Sequence, residues 1–288
     1  MILLTGNELL KAINKISTPK SKNIFKMKIH LKKLSIKPVI CISANLFFLA
    51  ALCSGAAFAN ERESTYSIYS HGFKVGEVKT YCTPLARNNK KYYEFQADIH
   101  INANFIFSSF RLDKKEEALV NQEGTFYYKR TSTQNGKTQQ VEGHLDKDGF
   151  VLSIEENGEK NLKVIGKNEY DYTTLDCPEI TLGPEDKEKT FRILDFEHLA
   201  VVRRRYKWVK SEDITVDGKH IQCNVVEFKD PYNKCRRWVK QDELGLLIIR
   251  QDGKGREGSY STHLTSLAIN PRDTQVVNYS GNVIKTFQ

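Results

Sequence analysis

The sequence predicts a mainly β fold: an antiparallel curved sheet, a half-barrel or open barrel, of many short hairpin-connected strands with little helix. Three observations predict it. Asn-Gly or Asp-Gly pairs recur at 135–136, 148–149, 157–158 and 217–218. A type I′ hairpin turn needs φ > 0 at both central positions, and these dipeptides adopt it most readily. The segments between turns are rich in β-branched and aromatic residues at roughly 8–12-residue spacing, a sheet rhythm and not that of βαβ units. The third observation is the stretch 214–250, which holds the whole pattern.

That stretch opens with Ile214-Thr215-Val216, turns at Asp217-Gly218 and runs through Ile221 to Phe228. A turn at Asp230-Pro231-Tyr232-Asn233 leads to Cys235-Arg236-Arg237-Trp238-Val239. A third, Gln241 to Gly245, precedes Leu246 to Arg250. Apolar segments joined by such turns make an antiparallel meander.

The N-terminus reads as a leader. After Met27, Lys28, Lys32, Lys33 and Lys37 form a basic region, Pro38 to Leu52 is uncharged and mostly apolar, and Ala57-Phe58-Ala59 fits cleavage after Ala59. The apolar stretch falls short of the ~20 residues of a spanning helix, so residues 27–59 are read as a signal peptide and not an anchor. A lipoprotein anchored at Cys53 is the minor alternative; Leu52 stands where a small residue should precede it. Residues 1–26 are read as an extension from a mis-assigned start. The expected localisation is periplasmic.

Removing the leader changes the charge. Residues 1–59 hold nine of the 44 basic residues and one of the 35 acids, leaving 35 against 34. A near-neutral mature chain argues against a nucleic-acid partner. Residues 60–270 are read as the β domain, with two halves, 60–167 and 190–270, joined by 168–189; residues 271–288 form a tail.

In chain order, Ser64 to Tyr69 alternates, turns at His71-Gly72 and continues from Phe73 to Tyr81, with Phe73 and Val75 on one face. Gly76 in mid-strand predicts a bulge or a close backbone approach. Tyr92 to Ile101 is a third strand, and Phe105 to Val120 a long bent fourth. Gly124 to Arg130 and an exposed return over Lys137 to Gly143 follow, then short strands at 151–154 and 162–165. The irregular 168–189, with Tyr170, Tyr172, Leu175 and two prolines, is a crossover with one helical turn expected after Pro184. Strands resume at 191–194 and 199–209, and Tyr260 to Ile269 is the last.

Cys82, Cys177, Cys223 and Cys235 are an even set in an exported chain, which predicts two disulfides of open pairing. The local pair Cys223–Cys235 is in tension with the turn. A tight 230–233 turn sets Cys235 opposite about Phe228, leaving Cys223 ~16 Å along the strand. A disulfide needs Cα atoms within ~7 Å.

Tyr66-Ser67-Ile68-Tyr69 with Gly72 to Glu77, and Ile214 to Gly218 with Cys223, Arg237-Trp238-Val239, Leu244 to Leu247, Tyr260 and Leu264, resemble a bacterial exported family of unknown function of the DUF3108 type. Its architecture is similar to the LolA/LolB-type half-barrel lipoprotein-localisation carriers. The resemblance implies a curved antiparallel sheet with an apolar concave face and carries no catalytic residues.

None of the six histidines from His71 to His263 sits in His-Glu-x-x-His, and no Gly-x-Ser-x-Gly occurs. No catalytic, metal or cofactor residue is assigned, and the chain is read as non-enzymatic. The local anomaly is Arg203-Arg204-Arg205-Tyr206-Lys207-Trp208. On a strand Arg203, Arg205 and Lys207 share one face and Arg204, Tyr206 and Trp208 the other. One reading is a contact to an anionic headgroup, with Trp208, Tyr170 and Tyr172 completing a ligand site. The favoured one is a solvated face answered by Asp195, Glu197, Glu212 and Asp213. Three functions follow: a carrier of an apolar or lipid-like ligand first, then an envelope scaffold binding another protein, then a hydrolase with a hydrogen-bonded His and acid in a cleft.

Overall fold

A computed structural model describes residues 59–272, apart from 88–89, 106–107, 187 and 256–257. Residues 1–58, which include Cys53 and all but the last residue of the segment read as a signal peptide (27–59), and residues 273–288 of the tail lie outside the described residues. Eight strands run as a meander: β1 (Ala59–Ser70), β2 (Phe73–Arg87), β3 (Lys90–Phe105), β4 (Ser108–Asn121), β5 (Gly124–Gln134), β6 (Lys137–Leu145), β7 (Gly149–Glu156) and β8 (Glu159–Gly166). A two-residue β9 (Tyr172–Thr173) and a 3-10 turn at Pro178–Thr181 follow. The second meander is β10 (Lys189–Asp195), β11 (Ala200–Val216), β12 (Lys219–Lys229), β13 (Asn233–Asp242), β14 (Gly245–Gly255) and β15 (Gly258–Arg272).

All fifteen belong to one open, curved sheet in the order β8 to β1, then β15 to β9. The meanders join where β1 pairs antiparallel with β15, Tyr66 opposite Leu264. Only the β9–β10 pairing is parallel among the described strands. Twisted sheets beyond about ten strands curl, and this one curls until β9, at one end, meets β5, three strands in from the other: Thr125 lies 2.8 Å from Thr173, hydroxyl to hydroxyl.

Most turns take the conformation their residues favour. His71-Gly72, Asn135-Gly136, Asn157-Gly158 and Asp217-Gly218 all have positive φ at both positions, whereas at Asp148-Gly149 only Gly149 does. The 214–250 meander is present, with one change: Ile214 to Val216 end the 17-residue β11 and do not form a strand of their own. Leu246 to Ile249 are all buried, on both faces of β14. The crossover's helical turn falls at Pro178 and not after Pro184.

One apolar core runs from Tyr66, Val78 and Ile99 to Val225, Phe228 and Ile248. A second gathers Tyr128, Phe150 and Leu152 under Leu175, Leu194 and Phe196, where the Tyr128 and Phe196 rings stack at 4.1 Å. Phe73, expected beside Val75 in the core, is 70% exposed. A register shift leaves Val75 without a partner on β1, so the alternation breaks there.

Cys235 stands opposite Phe228, as the tight turn requires. No disulfide joins Cys82, Cys177, Cys223 and Cys235; all four are buried thiols, which corrects the expectation of two bonds. Cys223 and Cys235 are held apart along their strands. Cys82 bonds the Leu244 carbonyl and Cys177 that of Leu175.

Candidate functional site

The concave interior is where a carrier would hold its ligand. The crossover enters it: Leu175, Cys177, Pro178, Glu179 and Leu182 are buried. Asp176 fastens the entry, accepting from the Thr125 amide at 2.8 Å and the Thr173 amide at 2.6 Å. Glu179 Oε1 accepts from Arg237 Nη1 at 2.5 Å, and Arg237 Nε donates to Gln251, whose amide reaches the Tyr260 hydroxyl.

Strand alternation separates the three arginines. Arg203 and Arg205 are exposed, while Arg204 points inward and is 2% exposed. Arg204 Nη2 donates to Asp195 and Nε to Asp230, both at 2.9 Å. Its guanidinium and that of Arg237 both lie over the Phe228 ring, 4.6 and 4.8 Å from its centre. Asp195 also receives the Glu197 and His198 amides. Burial alone raises a carboxyl's pKa, but the His198 hydrogen bond and the Arg204 charge hold Asp195 below its ordinary value. Arg204 is therefore a buried structural cation, and the three arginines do not form one cluster. Lys210 meets Glu212, and Arg205 meets Glu188. Trp208 packs against the core, as does Tyr172, edge-on to Phe191, while Tyr170 packs against the second core.

Deeper under β10, Glu197 takes Lys114 at 3.0 Å and Arg130 at 3.4 Å, and Tyr128 donates to Glu116 at 2.7 Å. The Glu197 pairs join Lys114 of β4 and Arg130 of β5 to the β10–β11 turn, while the Tyr128–Glu116 bond lies within the β4–β5 pair.

A second site, which the sequence did not single out, lies at the rim. The β2–β3 register ends at Gly76 opposite Ile101. Beyond it β2 turns away with its bulge at Val75, while β3 continues to Phe105 paired with β4. Gly76 permits the close approach at the fork; a Cβ there would lie 2.4 Å from the His100 carbonyl oxygen. Above the fork opens a cleft of about 450 Å³ lined by Lys74, Val75, Gly76, Glu77, His100, Ile101, Asn102, Arg111 and Asp113. His100 Nδ1 and Arg111 Nε each meet a different oxygen of Asp113, both at 2.9 Å. Those two hydrogen bonds hold the Asp113 carboxyl below its usual range. The signal that could have found this site was register: His100 and Asp113 stand directly opposite in the β3–β4 hairpin.

The arrangement defines a barrel-like, single-sheet protein whose crossover packs into the concave face, with a cleft at the strand rim. No family model and no curated protein matches the sequence. Among solved structures it is similar to a β-barrel-like protein of a domain of unknown function, DUF1849, from Brucella abortus. The TM-score is 0.52 at 11% identity, over 74% of this chain and 98% of that one. That likeness supports a β-barrel-like fold of unknown function and not the DUF3108 type in particular.

Proposed function

We propose that the chain is a non-enzymatic scaffold module of the bacterial cell envelope, exported to the periplasm, that contacts another envelope protein. The supporting observation is that its own crossover occupies the concave face, locked by Glu179 and Arg237. Side chains that a carrier would turn toward an apolar ligand are spent on the protein itself. Its contact edge is β8, the last strand of the sheet, where Leu162 and Val164 are 73% and 60% exposed. Large exposed apolar residues on an edge strand favour strand addition by a partner. A photo-crosslinking residue at position 162, expressed in the native envelope, tests this against one at exposed Glu142. A discrete adduct at 162 alone supports the scaffold. Equal labelling at both positions overturns it.

The hydrolase reading draws on His100–Asp113. It is the weaker one, because Asp113 also holds Arg111 and the nine lining residues include no hydroxyl or thiol nucleophile.

A further inference from the structure

We propose that the rim cleft above the β2–β3 fork binds the anionic end, carboxylate or phosphate, of a ligand with an apolar body. The proposal stands apart from the scaffold reading, since cleft and β8 lie at different places in the sheet order.

Donors converge on the cleft from three strands. Arg111 of β4 uses Nε for Asp113, which leaves both Nη groups to form the planar fork that fits carboxylate and phosphate oxygens. His100 of β3 turns Nδ1 to Asp113, and this contact orients the ring and leaves Nε2 for a ligand. Lys74 of β2 is 51% exposed and meets Glu77 only at 3.5 Å, a distance at which its ammonium remains available. Asp113 is already occupied by two donors, so it positions them and does not repel an incoming anion at full strength. Beneath the polar groups the floor is apolar: Val75 and Ile101 are buried side chains at the fork, and exposed Phe73 adjoins Lys74 along β2.

Binding at the rim also suits the backbone. Among the described residues, the β2–β3 pairing ends at Ile101, so the β3 edge from Asn102 to Phe105 borders the same opening.

The test is an NMR titration of the isotopically labelled protein with octyl phosphate, octanoate, inorganic phosphate and octyl glucoside. The expected result is amide shifts at Lys74–Glu77 and Ile101–Asn102 and a ring-nitrogen shift at His100. Octyl phosphate or octanoate should bind at least tenfold more tightly than octyl glucoside, and octyl phosphate more tightly than inorganic phosphate. R111Q should weaken octyl phosphate about tenfold with unchanged melting temperature, ~1.4 kcal/mol by the standard conversion. R203Q, an exposed arginine on β11, should not. Flotation with phosphatidylcholine vesicles carrying phosphatidylglycerol separates the sources: R111-dependent flotation assigns a lipid headgroup, and no flotation assigns a free amphiphilic acid. Equal affinity for octyl glucoside, shifts elsewhere, or no effect of R111Q overturns the site.

Discussion

Glu179, in the 3-10 turn of the crossover, and Arg237, in the middle of β13, meet inside the sheet with their side chains 1% and 7% exposed. Fifty-eight residues separate them in sequence, so this one contact ties the irregular segment to the most regular part of the chain. Burial is the largest single effect on Arg237, lowering its affinity for a proton, and the Glu179 charge together with the neighbouring Cys235 and Tyr206 groups more than offsets it. A buried ion pair contributes little over an apolar pair of equal volume, yet a lone survivor is costly. R237M should therefore lower stability by about 3–5 kcal/mol, and R237M/E179L should recover most of the loss. Urea melts of the two variants decide it; a double variant no better than the single one disproves the pairing.

Asp195 gives a pH dependence with two limbs. Its folded pKa is depressed, so its contribution is present above the unfolded value, ~3.9, and is lost as pH falls through the folded one. His198 is the reverse. Burial lowers its pKa, but the Asp195 hydrogen bond and the charges of Asp195, Glu197 and Asp230 raise it overall. That contribution is complete below ~6.5 and lost as pH rises through the folded value. Melting temperature against pH should fall on both sides, and D195N should flatten both limbs. A variant with unchanged slopes refutes the account.

Gly76 shows how far the sequence could be read. A glycine between Val75 and Glu77 marked a bulge or a close approach, and both are present: the bulge one residue away and β3 backbone within 2.4 Å of a built Cβ. Turns and alternation were legible for the same reason, because each is set by residues within four positions. The site was not. Whether Arg204 faces a ligand or Asp230 depends on strands 26 residues apart, and the cleft depends on where β2 leaves β3. G76A should cost 1–3 kcal/mol, as overpacking does, and should also shift the cleft amides. A neutral G76A places β3 farther away than 2.4 Å allows.

The thiols were misjudged because an even cysteine count reports compartment and not distance. Burial pushes Cys82 up to about 11 and Cys235 up to about 12, so neither is reactive at neutral pH. Thiol titration of residues 60–288 should find none of Cys82, Cys177, Cys223 and Cys235 accessible when folded and all four in denaturant without reductant. Two or fewer in denaturant would restore a disulfide.

The crossover decides between a filled barrel and a gated one. A gate must open at low free energy, and segments that do so have few buried contacts and exposed backbone hydrogen bonds. Residues 171–182 have the opposite character. The Asp171 amide bonds the Arg192 carbonyl at 2.8 Å and that of Thr174 the Leu194 carbonyl at 3.1 Å, while Asp176 holds the Thr125 and Thr173 amides. Leu175, Glu179 and Leu182 are buried beneath. Native hydrogen exchange should therefore protect the amides of Asp171, Thr173 and Thr174 nearly as well as those of β10. Exposed Lys167 to Glu169 should exchange faster. D176A removes the acceptor that pins both sides of the entry, so it should raise exchange across 171–182 and leave β12 to β14 slow. If the wild-type segment exchanged as fast as Lys167, its contacts would not hold it in place, and the sheet would have a cover that opens.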